Sequence, residues 1–183
     1  MTAGQPNLTH ETTGDSVMHS ITKDLTELRR QLEKGSIQRA YRALLSYMMF
    51  LRNHFKNNHS GMAVSGLYQG YLDMTYFALF PASLKQRNLK MAMVFNYEAF
   101  RFEAWLAGGN RQVQRQYWEL FKDHTWPEYR VATPGKGIDA IIECDLAAGF
   151  DLDDRAALTA SIESATMAFI DEIEKFLAGH QTV

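Results

Sequence analysis

Up to residue 58 the apolar residues of this chain recur every three to four positions, and from Gly66 they recur every two. A helix repeats every 3.6 residues and a strand every two, so this switch requires helices first and a sheet after them. Ile21, Leu25, Leu28 and Leu32 step by four, three and four along one face of a first helix, which Gly35 ends. Ser36 is suited to cap a second helix by accepting a bond from a first-turn amide. That helix carries Ile37, Tyr41, Leu44, Met48, Leu51 and Phe55 in a heptad-like stripe, with Arg39, Arg42 and Arg52 on the other face. Such a stripe is either core or a surface for a partner helix.

In Leu67–Phe80 the even positions Tyr68, Leu72, Met74, Tyr76, Ala78 and Phe80 are apolar. The odd positions mix Gln69, Asp73 and Thr75 with Tyr71, Phe77 and Leu79. This predicts one strand with its even side buried and its odd side mixed, ended by Pro81. Leu89–Asn96 and Phe100–Leu106 supply the next two strands. Pairing Phe95 with Phe100, Met93 with Phe102, Met91 with Ala104 and Leu89 with Leu106 gathers the large apolar side chains on one face. The connecting loop is then Asn96-Tyr97-Glu98-Ala99. Lys90, Ala92 and Val94 fall opposite Trp105, Glu103 and Arg101 on the other face. A slip by one residue would set Arg101 and Glu103 against Phe95 and Met93, and is rejected.

A helix over Arg111–Lys122 leads to a fourth strand over Ile138–Leu146, for which a parallel, right-handed crossover is expected. A last helix runs from about Asp153, capped by Asp151 or Asp153, to Gly179. Its stripe is Leu158, Ile162, Ala165, Phe169, Ile173 and Phe176. The fold class is α+β: two N-terminal helices, a three-stranded antiparallel meander, a crossover helix to a fourth strand, and a long C-terminal helix. One domain is expected over residues 18–183, preceded by a disordered extension over the polar, aperiodic residues 1–17.

Composition excludes several function classes. Nineteen Lys and Arg against 21 Asp and Glu leave a net charge of −2, so no global cationic field steers the chain onto nucleic acid. No apolar run approaches the ~18 residues of a membrane span, and no signal peptide is recognisable. The lone Cys144 permits neither an internal disulfide nor a thiolate zinc site. A cytoplasmic protein without membrane or nucleic-acid partners is expected.

The segments YQGYLDMTYF (68–77), LKMAMVFNYEAFRFEAWLAGGNRQVQRQYW (89–118) and KGIDAIIE (136–143) resemble a group of small, mostly bacterial single-domain proteins of unknown function. The pattern of that group runs YQGYMDMTYF, then LKxAxVFNxExxRFExWLAGxNRxxQxxYW. LEKGSIQRAYRALLSYMMFLRNHF (32–55) fits it as well, so the likeness covers about Ile21 to Leu177. The resemblance implies one compact domain and no particular activity.

Candidate chemistry collects on the second sheet face. Arg101 and Glu103 are two apart on one strand, with Trp105 beside them and Lys90 across the ladder. Gln69, Tyr71, Asp73 and Phe77 are expected on the same face. Charges interleaved with aromatic rings suit a pocket for a small polar or anionic ligand; the plain alternative is a charge-paired outer face. Gly108-Gly109-Asn110-Arg111 follows a strand and opens a helix, so free amides with Arg111 and Arg115 could hold a phosphate or carboxylate. The turn lacks nucleotide-loop spacing.

The element order also resembles the core of PD-(D/E)XK nuclease-like folds. Here the third-strand motif is Glu103-Ala104-Trp105, without its lysine, and Asp73 and Lys90 would have to stand in from other strands. A diverged metal-dependent hydrolase is therefore the enzymatic alternative, and an interaction module using residues 36–56 is the third. No catalytic residue, cofactor or metal centre is assigned. His54 and His59 lack a third ligand, and Ser65 and Ser83 lack an evident base. Cys144 reads as a small hydrophobe, and the nine Met as core filling.

Overall fold

A computed structural model describes residues 20–147 and 149–180. The expected extension over residues 1–17 lies outside them. The chain divides into two compact units between Ala40 and Tyr41.

The first unit holds α1 (Ile21–Glu33) and the opening turn of α2 (Ser36–Asn58). Gly35 closes α1 in the left-handed conformation, φ +71°, with its amide on Leu32 O at 3.0 Å. Ser36 is therefore the first helical residue and not the cap. No residue of α1 is buried, and Ile21 is 71% exposed.

In the second unit α2 turns its stripe inward. Leu44, Met48, Leu51 and Phe55 are buried together with Tyr47. From Leu44 onward the stripe is therefore core and not a free partner surface, whereas Ile37, in the first unit, is 40% exposed. The sheet has seven strands: β1 (Met62–Val64), β2 (Tyr68–Gln69), β3 (Met74–Pro81), β4 (Leu89–Asn96), β5 (Arg101–Gly108), β6 (Tyr129–Val131) and β7 (Ala140–Asp145). Their order is β1-β3-β4-β5-β7-β6, with β2 also on β3. The short α3 (Ala82–Gln86) joins β3 to β4, α4 (Arg111–Phe121) follows β5, and α5 (Arg155–Gly179) closes the chain.

The β3-β4-β5 meander is antiparallel as expected, but four details differ. Residues 67–80 are not one strand. The chain folds back at Gly70–Asp73, where Leu72 takes φ +62°, so that Tyr68 pairs with Tyr76 and Gln69 with Thr75. The inward side of β3 is the odd one: Phe77 and Leu79 are fully buried, while Tyr76 is only half-buried. Both sides of this strand are apolar enough that alternation did not choose between them, and the polar odd residues Gln69 and Asp73 belong to the hairpin.

The β4–β5 register differs by two residues. Phe95 faces Phe102, Met93 faces Ala104, Met91 faces Leu106 and Leu89 faces Gly108. Asn96 decides it. Its Oδ1 accepts from the amides of Glu98 and Ala99 at 3.0 and 3.1 Å, an Asx turn that moves the loop to residues 97–100. A shift of two preserves the faces, so every β4 and β5 side chain stays on its expected side. Finally, β7 runs antiparallel to β5. After α4 the chain first lays down β6 at the sheet edge and returns as β7, a reversal that replaces the expected parallel crossover.

The inner face of the sheet packs against α2 and α5. Tyr47 meets Phe102 edge-on at 5.4 Å, and Phe55 meets Phe77 at 6.2 Å. Thr166 of α5 donates to Met93 Sδ at 3.7 Å. Each large side chain buried here contributes about 1.5–3 kcal/mol. The cap of α5 is Asp154, whose carboxylate accepts from the Ala157 amide at 3.1 Å, one residue beyond the expected position.

Candidate functional site

Cross-strand partners share a sheet face, so the register fixes what the outer face presents. Asn96 lies opposite Arg101, Val94 opposite Glu103 and Ala92 opposite Trp105. Beyond them Glu103 faces Asp145, Trp105 faces Glu143, and Glu143 faces Arg130 of β6. Arg101, Glu103, Trp105 and Lys90 are therefore on one face, as expected. Arg130, Glu143 and Asp145 join them. Arg130 alternates with Tyr129 and Val131 on a strand too short for its period to stand out.

Glu103 is only 2% exposed. Its Oε1 accepts from Arg101 Nε at 2.6 Å, and its Oε2 accepts from Trp105 Nε1 at 2.8 Å and Asn96 Nδ2 at 3.3 Å. Arg130 Nη2 stands 3.7 Å from Oε1 and spans to Glu143 at 3.3 Å and Asp145 at 2.9 Å. Arg101 also reaches Asp145 at 3.0 Å. Burial, with the neighbouring Glu103 charge, raises the Glu143 carboxyl above its ordinary value, against the lowering pull of Arg130. The carboxylates and guanidinium groups are thus spent on one another. The charge-paired alternative describes this half of the face.

Asp73, Gln69, Tyr71 and Phe77 are not part of it. Asp73 sits in the exposed β2–β3 turn, where its Oδ1 accepts from the Met74 amide at 2.7 Å. That bond holds its carboxyl below the usual range. Gln69 is exposed and on the Thr75 side, Tyr71 is 96% exposed in the turn, and Phe77 is core. Two strand spacings and three residues put the Asp73 and Glu103 backbones roughly 14 Å apart. Their carboxylates do not converge on one cation, and no group of three metal-ligating side chains occurs among the described residues. The hydrolase alternative loses its ligand pair.

The other half of the face is different. The ammonium of Lys90, a half-buried residue, makes no hydrogen bond or ion pair among the described residues. It lines a slot of only 20 Å³ beside Trp105, Tyr76 and Asp139, and also a hollow of 190 Å³ under the Gly108–Arg111 turn. Arg111 and Gln114 line both this hollow and a cavity of 400 Å³, where Arg115 and Lys136 stand. Arg111 is partly committed: Nη1 donates to Gln114 Oε1 at 2.8 Å and to the Ile138 carbonyl, and Nη2 lies 3.4 Å from Asp139. The buried Gln114, unremarked in the sequence, ties α4 to the same loop through Ile138 O at 2.8 Å and Ala140 O at 3.1 Å.

Two of the amides around the turn already have partners. Gly109 N–H donates to Asn88 O at 2.8 Å, and Asn110 Oδ1 caps α4 by accepting from Val113 at 2.9 Å. An anion there would meet the side chains of Arg111 and Arg115, as expected, but not the Gly109 and Val113 amides. Four cations, Lys90, Arg111, Arg115 and Lys136, surround the two hollows with Asp139 as the one carboxylate lining them.

The chain belongs to the family described as Domain of unknown function (DUF7000), whose pattern matches residues 21–177. No curated protein and no solved structure matches it. None of its described helices is long and apolar enough to cross a membrane.

Proposed function

We propose, from a family membership that assigns no activity, that this is a cytoplasmic module binding a small anionic ligand where β4 and β5 meet the start of α4. Lys90 carries the reading. Its side chain is half-buried, yet its ammonium makes no hydrogen bond or ion pair among the described residues, which leaves that charge open to a ligand. Arg111 is pre-positioned by the 135–139 loop and supplies a second contact, while Arg115 and Lys136 extend the positive rim. Trp105 and Tyr76 wall the slot behind Lys90, which admits one small substituent and no more. The Arg101–Glu103 cluster is the rigid neighbour of this site and not its centre.

The test is calorimetric titration with inorganic phosphate and with citrate at low and high salt. Binding is expected to weaken about tenfold in Lys90→Ala and in Arg115→Ala, with the midpoint of unfolding raised less in the variants than in the wild type at equal ligand. Equal binding by wild type and Lys90→Ala would refute the assignment.

A further inference from the structure

Away from Lys90, at the sheet edge formed by β1, lies a cavity of 570 Å³ that shares no residue with the proposed anion site. One wall is a stripe of α5. Met167, Ile170, Asp171 and Glu174 step by three, one and three, which sets them on one helical face. The opposite wall is built by Met62 and Pro81, Cα partners where β1 meets β3, and by Ser83 just beyond them.

The cavity has one charge sign. Among the described residues no Lys or Arg lines it. The Asp171 carboxylate, on an exposed residue, makes no hydrogen bond or ion pair among the described residues. Glu174 has the Ser83 hydroxyl as its partner, donating to Oε1 and leaving Oε2 free. His59, also in the lining, is turned away from this role because its Nε2 donates to Glu163 at 2.6 Å. The carboxylates face an apolar wall of two thioethers, an isoleucine and a proline. That combination disfavours a bare metal ion, for which no three-ligand group exists among the described residues. It favours a ligand with a cationic head and an aliphatic body.

We propose that this cavity binds a primary aliphatic amine. The three N–H donors of its ammonium go to Asp171, Glu174 and the lone pairs of the Ser83 hydroxyl, which a donating hydroxyl still offers. The alkyl chain lies along Met62, Met167 and Ile170, where the flexible, polarisable thioethers adapt to it. A quaternary ammonium has the charge without the donors, and an alcohol has the chain without the charge, so both are poor ligands.

The experiment titrates the full chain with n-butylamine while recording amide ¹H–¹⁵N shifts and heat. 1-Butanol, tetramethylammonium and KCl serve as controls at matched ionic strength. Saturable binding is expected, with shifts centred on Gly61 and Ser83 and controls at least about tenfold weaker. Asp171→Asn with Glu174→Gln should remove it. Met167→Lys, which supplies an internal ammonium to the same acids, should block it even if the double variant does not fold. The proposal is overturned by non-saturating shifts up to about 50 mM, by equal response to tetramethylammonium or KCl, or by unchanged binding in Met167→Lys. Failure of phosphate binding at Lys90 would leave this site unaffected.

Discussion

The indole N–H of Trp105 and the guanidinium of Arg101 converge on one carboxylate: Glu103 accepts from Trp105 Nε1 at 2.8 Å and from Arg101 Nε at 2.6 Å while only 2% exposed. Three residues at alternate positions of one strand thus form a unit in which, with Asn96 Nδ2 at 3.3 Å, three of the central acid's acceptor positions are filled and Arg130 stands 3.7 Å from the fourth. Glu103→Gln keeps the volume but turns an amide donor either toward Arg101 or toward Trp105 and Asn96, and removes the charge that Arg101 faces. Urea unfolding should show a loss of about 2–3 kcal/mol. Asp145→Asn, at the exposed end of the same network, should cost at most about 1 kcal/mol.

Glu163 of α5 ties down the end of α2 through two imidazoles, His54 Nε2 at 2.8 Å and His59 Nε2 at 2.6 Å. Asn58 donates to His54 Nδ1 at 3.0 Å, which leaves Nε2 as the donor. The bond from His54 holds the Glu163 carboxyl below its ordinary value, burial opposes it, and His59 adds to the lowering. A carboxyl depressed on folding contributes stability above its unfolded pKa and loses it as pH falls through the folded one. Wild type should therefore exceed Glu163→Gln by about 1 kcal/mol at neutral pH, and the difference should begin to shrink as pH falls past the ordinary Glu value of about 4.3 and vanish only once the depressed folded carboxyl is protonated. Paired denaturation curves across that window check the sign.

Cys144, mid-strand on β7 and 6% exposed, has its thiol pushed up to about 12 by burial, with the Asp145 charge adding to the effect. The thiolate is the reactive species. A thiol reagent at pH 8 should leave the native protein unlabelled and modify it within minutes in denaturant. Rapid native labelling would contradict the burial.

Gly108 is needed for space. A Cβ there would lie 2.6 Å from the Gln114 amide nitrogen, a backbone atom of α4 that cannot swing aside. Gly108→Ala should destabilise by about 1–3 kcal/mol and weaken anion binding with it, because the turn carries Arg111. Thermal unfolding and phosphate titration of the same variant measure both effects.

The sequence by itself determined the α+β class, the four longer of the five described helices, the antiparallel meander and the side of the sheet each residue of β4 and β5 occupies, while the short α3 carried no periodicity to find it by. Those follow from local periodicity, which every residue pair reports independently. Arg101, Glu103, Trp105 and Lys90 were legible as one face for that reason. Tertiary structure decided what periodicity leaves degenerate. A register offset of two keeps all faces, so only the Asx turn at Asn96 distinguishes the observed pairing from the expected one. The inward side of β3 depended on which apolar side met α2 and α5. The direction of β7 depended on where β6 was laid down, a contact far along the chain. The shift of interest from Glu103 to Lys90 has the same origin. Whether a charged side chain is paired or free depends on partners such as Arg130, Asp145 and Asp139, which only the folded chain brings within reach.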